Sequence, residues 1–282
     1  MTASRPAAVE AEDAEGGVSR GLALLVAGAL FMEILDGTVI APAAPHIGAS
    51  FGVPAVAVNV AITAYVLTLA VLIPISGWLA DRFGARRVFV AAVAVFTLAS
   101  VGCALAANLP MLTGMRVLQG VGGAMMVPVG RLVVLRTTAK ADLIRAVAYL
   151  TWPALVAPVV APALGGVLST YASWRWIFLI NVPLGLAALL LAGRLVPDLR
   201  SDAPPRLDRA GFVLVALGIA ALMVAVESVG EGAIDVPFVA GLMPTLPANS
   251  AITASPACAA VQPKPSWKNS GSRNGTAVIS PR

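Results

Sequence analysis

The stretch GLALLVAGALFMEILDGTVIAPAA, residues 21–44, decides the fold, because it is apolar apart from two acidic side chains. A helix needs about 20 mostly apolar residues to cross roughly 30 Å of hydrocarbon, and this stretch is long enough. Hydrocarbon offers no partner to open backbone groups, so helices are favoured over irregular structure. The sequence predicts an all-α, polytopic membrane helix bundle. Six further runs of this kind occur at 53–80, 88–107, 111–135, 143–168, 174–192 and 211–228.

The composition also indicates a membrane protein. Of the 282 residues, 59% are apolar and 12% are charged, whereas soluble domains carry about a quarter of charged residues. The net charge of +5 is divided among short clusters between the apolar runs, which argues against nucleic-acid binding. One histidine and two cysteines are too few for a zinc or haem site, so no metal or cofactor is expected. The lipid bilayer is the expected partner.

The positions of the basic residues predict the orientation of the spans. Cytoplasmic loops carry an excess of Lys and Arg, and these residues cluster in alternate loops of this chain. We therefore expect a multi-pass protein of the cytoplasmic (inner) cell membrane with its N-terminus inside. The outer loops among the first six spans then keep only Arg175. The inner clusters are Arg82, Arg86 and Arg87, then Arg136, Lys140 and Arg145, and finally Arg194, Arg200, Arg206 and Arg209.

Changes in composition along the chain predict its organisation. The last segment is rich in Pro, Ser, Ala and Asn and has no run that could cross a bilayer, which is typical of disorder. Because it follows a well-formed apolar run directly, we interpret it as a disordered or frameshifted tail of a truncated chain. The expected segments are a cytoplasmic tail at 1–19, a six-span half at 20–193, a cytoplasmic linker at 194–210, a seventh span at 211–235 and the tail at 236–282.

Three ionisable residues lie inside predicted spans. Glu33 and Asp36 are three residues apart, so a helix places them on one side one turn apart. With a rise of about 1.5 Å per residue, Arg116 of the fourth span lies at a similar depth. Ionisable residues inside a membrane rarely face lipid and often carry function. Two interpretations stay open: a proton-binding site with Asp36 as its first candidate, or a fixed ion pair that joins spans one and four.

Two further patterns suggest function. The connection GWLADRFGARR, residues 77–87, combines glycines for a turn and close helix approach with charges that can pair. A solvated basic loop would explain its arginines but not the placement of its glycines and aspartate. In the fifth span, prolines and glycines predict either a hinge or simple close packing. The candidate residues are Gly77, Asp81, Arg82, Gly84 and Arg86 in the connection, and Pro158, Pro162, Gly165 and Gly166 in the fifth span.

These patterns together resemble the major facilitator superfamily, and within it the drug:proton antiporters with fourteen spans, over about residues 20 to 235. The 77–87 connection is similar to the loop motif of the superfamily, and residues 35–45 are similar to the first-span motif of the drug-exporting branch. Residues 116–122 resemble the fourth-span motif, 161–166 the antiporter motif of span five, and 174–185 the start of span six.

The resemblance implies a fold of two six-helix halves, of which this chain carries the N-terminal half and a seventh span. It implies proton-coupled export of drugs or other small lipophilic or cationic compounds, with Asp36 and Arg116 in proton transfer and Asp81 locking an inner gate. The partners would be protons and a drug-like small molecule. The alternative is a non-transporting half-unit or regulatory membrane protein that self-associates or pairs with a second transporter half.

An enzyme is not expected. The chain has no P-loop pattern for ATP, and its single histidine, His46, is expected in an outer loop rather than beside a nucleophile. Energy for transport would therefore come from a gradient rather than from ATP hydrolysis.

Overall fold

A computed structural model of the chain describes residues 20–200 and 207–230. The predicted tails at 1–19 and 236–282 lie outside the described residues, as do 201–206 of the predicted linker and 231–235 of the predicted seventh span. The chain divides into two compact units, 1–227 and 228–282, and only residues 228–230 of the second unit are described. The elements that form the site belong to the first unit.

The described residues are helical, as the sequence predicts. Six segments are long and apolar enough to cross a membrane, which confirms the all-α membrane bundle. Two short 3-10 turns, Ala55–Val58 and Lys140–Asp142, lie between helices. The α-helices are α1 (Arg20–Phe51), α2 (Asn59–Phe83), α3 (Ala85–Ala104), α4 (Leu109–Thr137), α5 (Leu143–Tyr171), α6 (Trp176–Leu179), α7 (Asn181–Leu195) and α8 (Arg209–Gly230). The sixth segment combines α6 and α7.

Two helices differ from the expected runs. Helix α1 continues through Pro42 and Pro45 to Phe51, so His46 lies in a helix and the prediction of an outer loop was wrong there. Prolines are tolerated inside membrane helices because neighbouring groups and local adjustments satisfy the freed backbone. Helix α8 coincides with the seventh predicted run, but its apolar stretch in the described residues, Ala210–Met223, is shorter than a span of about 20 residues. A seventh crossing stays a prediction.

Small residues bring the helices of the bundle close together. The most extensive contacts join α1 to α5 and α4 to both α2 and α3, while α7 packs on α1 and α3. At Gly122 of α4, an added Cβ would lie 2.7 Å from the backbone nitrogen of Phe96 in α3. Only glycine permits such an approach, which is how membrane helices bring their backbones together. We call the end with the α2–α3 turn the basic end.

The buried core consists of two apolar clusters at different levels of the bundle. The cluster nearer the basic end contains Leu30 of α1, Phe96 of α3 and Met126 of α4. The other cluster contains Ile40 of α1 and Phe178 of α6. On α3 and α4 the buried polar side chains lie between the residues of one cluster and those of the other, and on α1 Asp36 directly follows Leu35, the first residue of the second cluster. The bundle therefore has a polar layer inside an apolar core.

Candidate functional site

The centre of the polar layer is an ion pair between α1 and α4. Asp36 and Arg116 are both completely buried. Arg116 Nη1 donates to Asp36 Oδ2, and Arg116 Nη2 donates to the main-chain oxygen of Asp36 at 3.1 Å. The planar guanidinium thus binds the side chain and the backbone of α1 together, a geometry that suits Arg and not Lys. The structure brings these two predicted site residues into direct contact.

Buried amides extend the ion pair to α3 and α7. Gln119 Oε1 accepts from Arg116 Nη1 at 2.9 Å, and Gln119 Nε2 donates to Ser100 Oγ at 2.8 Å. The thiol of Cys103 lies 3.6 Å from Gln119 Oε1. On the other side, Asn181 Nδ2 donates to Asp36 Oδ1 at 2.7 Å. One connected network therefore joins α1, α3, α4 and α7, and we call it the Asp36 network.

Aromatic rings enclose the charge of Arg116. The guanidinium carbon lies 4.8 Å from the ring centroid of Tyr65 in α2 and 5.1 Å from that of Phe178 in α6. Cations over ring faces are attracted by the ring quadrupole, most strongly where water is excluded. Two buried polar atoms of the described residues, Arg116 Nε and Asn181 Oδ1, have no hydrogen-bond partner. The two charges of the network are therefore paired, while these two atoms could still form further hydrogen bonds.

Glu33, the third residue of the predicted proton site, lies apart from Arg116. It faces a cleft of about 450 Å³ that is also lined by Ile73, Pro128 and Arg131, and it interacts electrostatically with Arg131. Three residues turn an α-helix by less than one full turn of 3.6 residues, so Glu33 and Asp36 meet different parts of α4. The structure thus places Asp36 in a buried pair with Arg116 and Glu33 in a cleft with Arg131, and the two carboxylates interact electrostatically.

The connection between α2 and α3 is held by contacts to two other helices. Asp81 Oδ1 lies 3.1 Å from Arg136 Nη1 at the end of α4, and Arg86 donates to the carbonyl oxygen of Gly193 in α7. Gly84 has φ of +93°, a backbone conformation that favours glycine and closes the turn. Arg82 is exposed. No heavy atom of the described residues lies within 4 Å of a Cβ added at Gly77, so the expected close helix approach is not found there.

The four predicted residues of α5 divide into buried and outward-facing ones. At Gly165, an added Cβ would lie 2.5 Å from the main-chain oxygen of Val39, so α5 packs directly on the α1 backbone one turn beyond Asp36. Gly166 has no neighbour of this kind among the described residues. Pro158 and Pro162 are exposed, and α5 continues as one helix through both. The structure thus assigns close packing to Gly165 alone.

Sequence reasoning did not single out several residues of the site. Gln119 and Asn181 lie within the motif ranges 116–122 and 174–185 but were not predicted as site residues. An amide inside an apolar run nevertheless indicates a buried hydrogen bond. Tyr65 was not singled out either, and its ring packs on the guanidinium of Arg116. Arg131 was overlooked, although a charged residue within an apolar run of α4 is the same signal that identified Arg116.

Six membrane-length helices around a buried ion pair define a polytopic membrane protein with a charged core. The family model of the Major Facilitator Superfamily matches residues 26–256, and the chain belongs to this family. It is 45% identical over 203 residues to multidrug resistance protein MdtD of Salmonella newport strain SL254, covering 72% of this chain and 43% of that protein. MdtD of Salmonella typhimurium strain LT2 matches with the same identity and coverage.

Solved structures show the same fold at low sequence identity. A peptide transporter POT in complex with sulfate matches with a TM-score of 0.57 and 15% identity, over 81% of this chain and 51% of that one. A D-xylose-proton symporter matches with a TM-score of 0.56 and 16% identity, over 76% of this chain and 54% of that one. The chain spans about half the length of the relatives it matches. These relatives are transporters or resistance proteins rather than enzymes.

Proposed function

We propose that the chain acts in secondary active antiport, exporting drugs or other small lipophilic or cationic compounds across the cytoplasmic membrane in exchange for protons. The observation that carries the proposal is the completely buried Asp36–Arg116 pair in the middle of an apolar bundle. Such charges are costly in a membrane and are retained where protons or ions move. The multidrug resistance name of the 45% identical relatives supports a drug-like substrate.

Protonation of Asp36 is the proposed coupling step. The charged carboxylate accepts hydrogen bonds from Arg116 and Asn181 and so joins α1 to α4 and α7. A proton on Asp36 removes the negative charge that holds the guanidinium, and the attraction between α1 and α4 weakens. Proton binding and helix contact are thereby linked, which is what an antiporter needs to alternate between two states.

Glu33 has the proposed role of a second proton-binding carboxylate. It lies one turn of α1 from Asp36 and faces the cleft that also contains Arg131. The cleft is also lined by Leu135 near the end of α4, so Glu33 can exchange protons with water from that side while Asp36 stays enclosed. The basic end is proposed to be cytoplasmic, with the N-terminus inside, because arginines concentrate there.

The α2–α3 turn and α5 are proposed to serve the conformational change. Asp81 and Arg86 fasten the turn to α4 and α7 at the basic end, where an inner gate would close. Gly165 keeps α5 close to α1 beside Asp36, so a change at Asp36 would move α5 with it. These contacts are interactions that a rocking half-transporter could form and release.

The test is dye efflux driven by a pH gradient in everted membrane vesicles that contain the chain. Asp36→Asn should abolish the efflux and leave the amount of inserted protein unchanged, because the amide keeps the shape and loses the titrating proton. Asp142→Asn is the matched control, since Asp142 lies in the turn before α5 and pairs, among the described residues, with exposed Arg145. Efflux that survives Asp36→Asn would contradict the proposed coupling site.

A second candidate is a half-unit that pairs with another chain or with itself. Among the six membrane-length segments, those of α2 and α5 are the least buried. Large apolar side chains such as Trp152 and Val159 are exposed on α5, and Val60 and Ile73 on α2. In vesicles, cysteines introduced at Trp152 or Val159 should cross-link to a second chain if these surfaces pair. Efflux without any such cross-link would argue against self-pairing through α5.

A further inference from the structure

The two carboxylate oxygens of Asp36 face different kinds of partner. Oδ2 receives a hydrogen bond from Arg116 Nη1, and Oδ1 receives one from Asn181 Nδ2 at 2.7 Å. A guanidinium has donors only, so Arg116 cannot accept a hydrogen bond from an O–H group formed at Oδ2. A side-chain amide carries both a donor and an acceptor. Oδ1 is therefore the oxygen whose neighbouring side chain can accept a hydrogen bond from a new O–H group.

Asn181 has its acceptor unused. Its side chain is completely buried, its Nδ2 is bonded to Asp36, and its Oδ1 has no partner among the described residues. The terminal torsion of an asparagine side chain is soft and roughly twofold, so a half-turn exchanges the nitrogen and the oxygen. Each orientation leaves one end of the amide bonded and the other end free. The rotation therefore exchanges hydrogen bonds without a net loss.

We infer that Asn181 is a positioning residue that follows the protonation state of Asp36 by rotating its amide. With Asp36 charged, Asn181 Nδ2 donates to Asp36 Oδ1. When a proton from water forms an O–H bond at Asp36 Oδ1, the amide turns. Asn181 Oδ1 then accepts a hydrogen bond from this O–H group, and the proton stays on Asp36. On release, the proton returns to water and the amide turns back. This inference rests on the proposed role of Asp36 as the proton-binding site.

Other groups around Asp36 also interact with its charge. The titratable and charged side chains that interact with it are Arg116 of α4, Tyr65 of α2, Cys103 of α3 and Glu33 of α1. The buried residues of α5 and α7, both fully described, include no titratable group. Gln119 also hydrogen-bonds the Asp36 side chain, but both ends of its amide are engaged, by Arg116 Nη1 and Ser100 Oγ, whereas Asn181 Oδ1 has no partner among the described residues.

Infrared difference spectroscopy during a pH titration tests the inference on the whole chain in lipid vesicles. The protonated carboxyl band of Asp36 is the one that disappears in Asp36→Asn. In protein labelled with carbon-13 asparagine, we expect a side-chain amide carbonyl band to shift with the same pH dependence as the Asp36 band. An asparagine that only fills space would keep its carbonyl band unchanged, so this readout separates rotation from packing.

Three variants sharpen the experiment. Asn181→Leu should eliminate the labelled amide shift and move the Asp36 carboxyl band, because the acid proton loses its acceptor. Asn181→Ser should keep the carboxyl band at its original position, since a hydroxyl can also donate or accept. Ser169→Ala is the control: it removes a buried hydroxyl that donates to the carbonyl oxygen of Gly166 within α5, outside the Asp36 network, and should leave both bands unchanged.

The possible failures are distinguishable. If Asp36→Asn removes no carboxyl band, the proposed proton site fails and the inference fails with it. If the Asp36 band is present but no asparagine band changes with it in the labelled chain, Asn181 does not rotate and only the inference is overturned. The labelled unmodified chain gives this answer even if Asn181→Leu does not fold.

Discussion

Two aspartate–arginine pairs join α4 to its neighbours, and their surroundings differ completely. Asp36 and Arg116 link α1 to α4 with both side chains 0% exposed, between two aromatic rings. Asp81 and Arg136 link α2 to α4 at the basic end with side chains 20% and 46% exposed. The residue types are the same. The comparison shows that burial, rather than the choice of residues, decides what each pair can contribute.

The two ion pairs differ in what can replace a charged partner that has been removed. At the basic end, water and salt take over when one charge is removed, and exposed pairs contribute about 0–1 kcal/mol. Asp36 and Arg116 are 0% exposed, so bulk water cannot take over in the same way, and the remaining charge stays in a largely apolar region. Removing one charge of the buried pair should therefore lower the free energy of unfolding strongly, whereas removing one charge of the exposed pair should change it little.

The largest expected effect comes from Arg116→Met. This variant keeps much of the side-chain volume but leaves the Asp36 carboxylate without its cation, and breaking a buried pair in this way costs about 3–5 kcal/mol. We expect a loss of that order in the free energy of unfolding, measured by denaturant unfolding in detergent micelles followed by tryptophan fluorescence.

The double variant Asp36→Leu with Arg116→Met is the control for this prediction. It removes both charges together, and replacing a buried pair by apolar residues is often neutral or stabilising. Most of the lost stability should therefore return. A double variant as unstable as Arg116→Met would mean that shape, and not an uncompensated charge, is what the pair provides.

A smaller effect is expected where α5 packs beside the buried pair. In Gly165→Ala the new methyl group would lie 2.5 Å from the main-chain oxygen of Val39, so α5 must move away from α1. Overpacking of this kind costs about 1–3 kcal/mol. Gly166→Ala is the matched control, because no described atom lies within 4 Å of its added Cβ. Equal losses of unfolding free energy in both variants would contradict the packing assigned to Gly165.

The helices could be predicted from the sequence because hydropathy is a local property. Each apolar run that was expected among the first six corresponds to a membrane-length segment. The end of α1 could not be predicted. Pro42 and Pro45 favour a helix end locally, and a helix continues through such residues in a membrane because neighbouring groups satisfy the freed backbone. Helix ends depend on tertiary contacts, and a single sequence does not contain them.

The site was only partly predictable for the same reason. Depth along a helix can be counted, so Asp36 and Arg116 could be placed at one level. The residue that a side chain contacts on another helix cannot be calculated from its position in this way. The contact between Asn181 and Asp36, for example, joins residues separated by 145 positions. Glu33 illustrates the limit, since a rotation of less than one turn directs it to the cleft near Arg131 instead of to Arg116.

The smallest effect is expected at the basic end, from Asp81→Asn, Arg136→Gln and the double variant in one thermodynamic cycle. The coupling free energy between the two side chains should be about 0.2–1 kcal/mol and should fall when salt is raised, because the pair is solvent-exposed. Unfolding at low and high salt gives this value. A coupling as large as that of Asp36 and Arg116 would contradict the role of burial. A small coupling accompanied by a large loss of dye efflux would instead mean that Asp81 acts mainly in a state of the transport cycle other than the one described here.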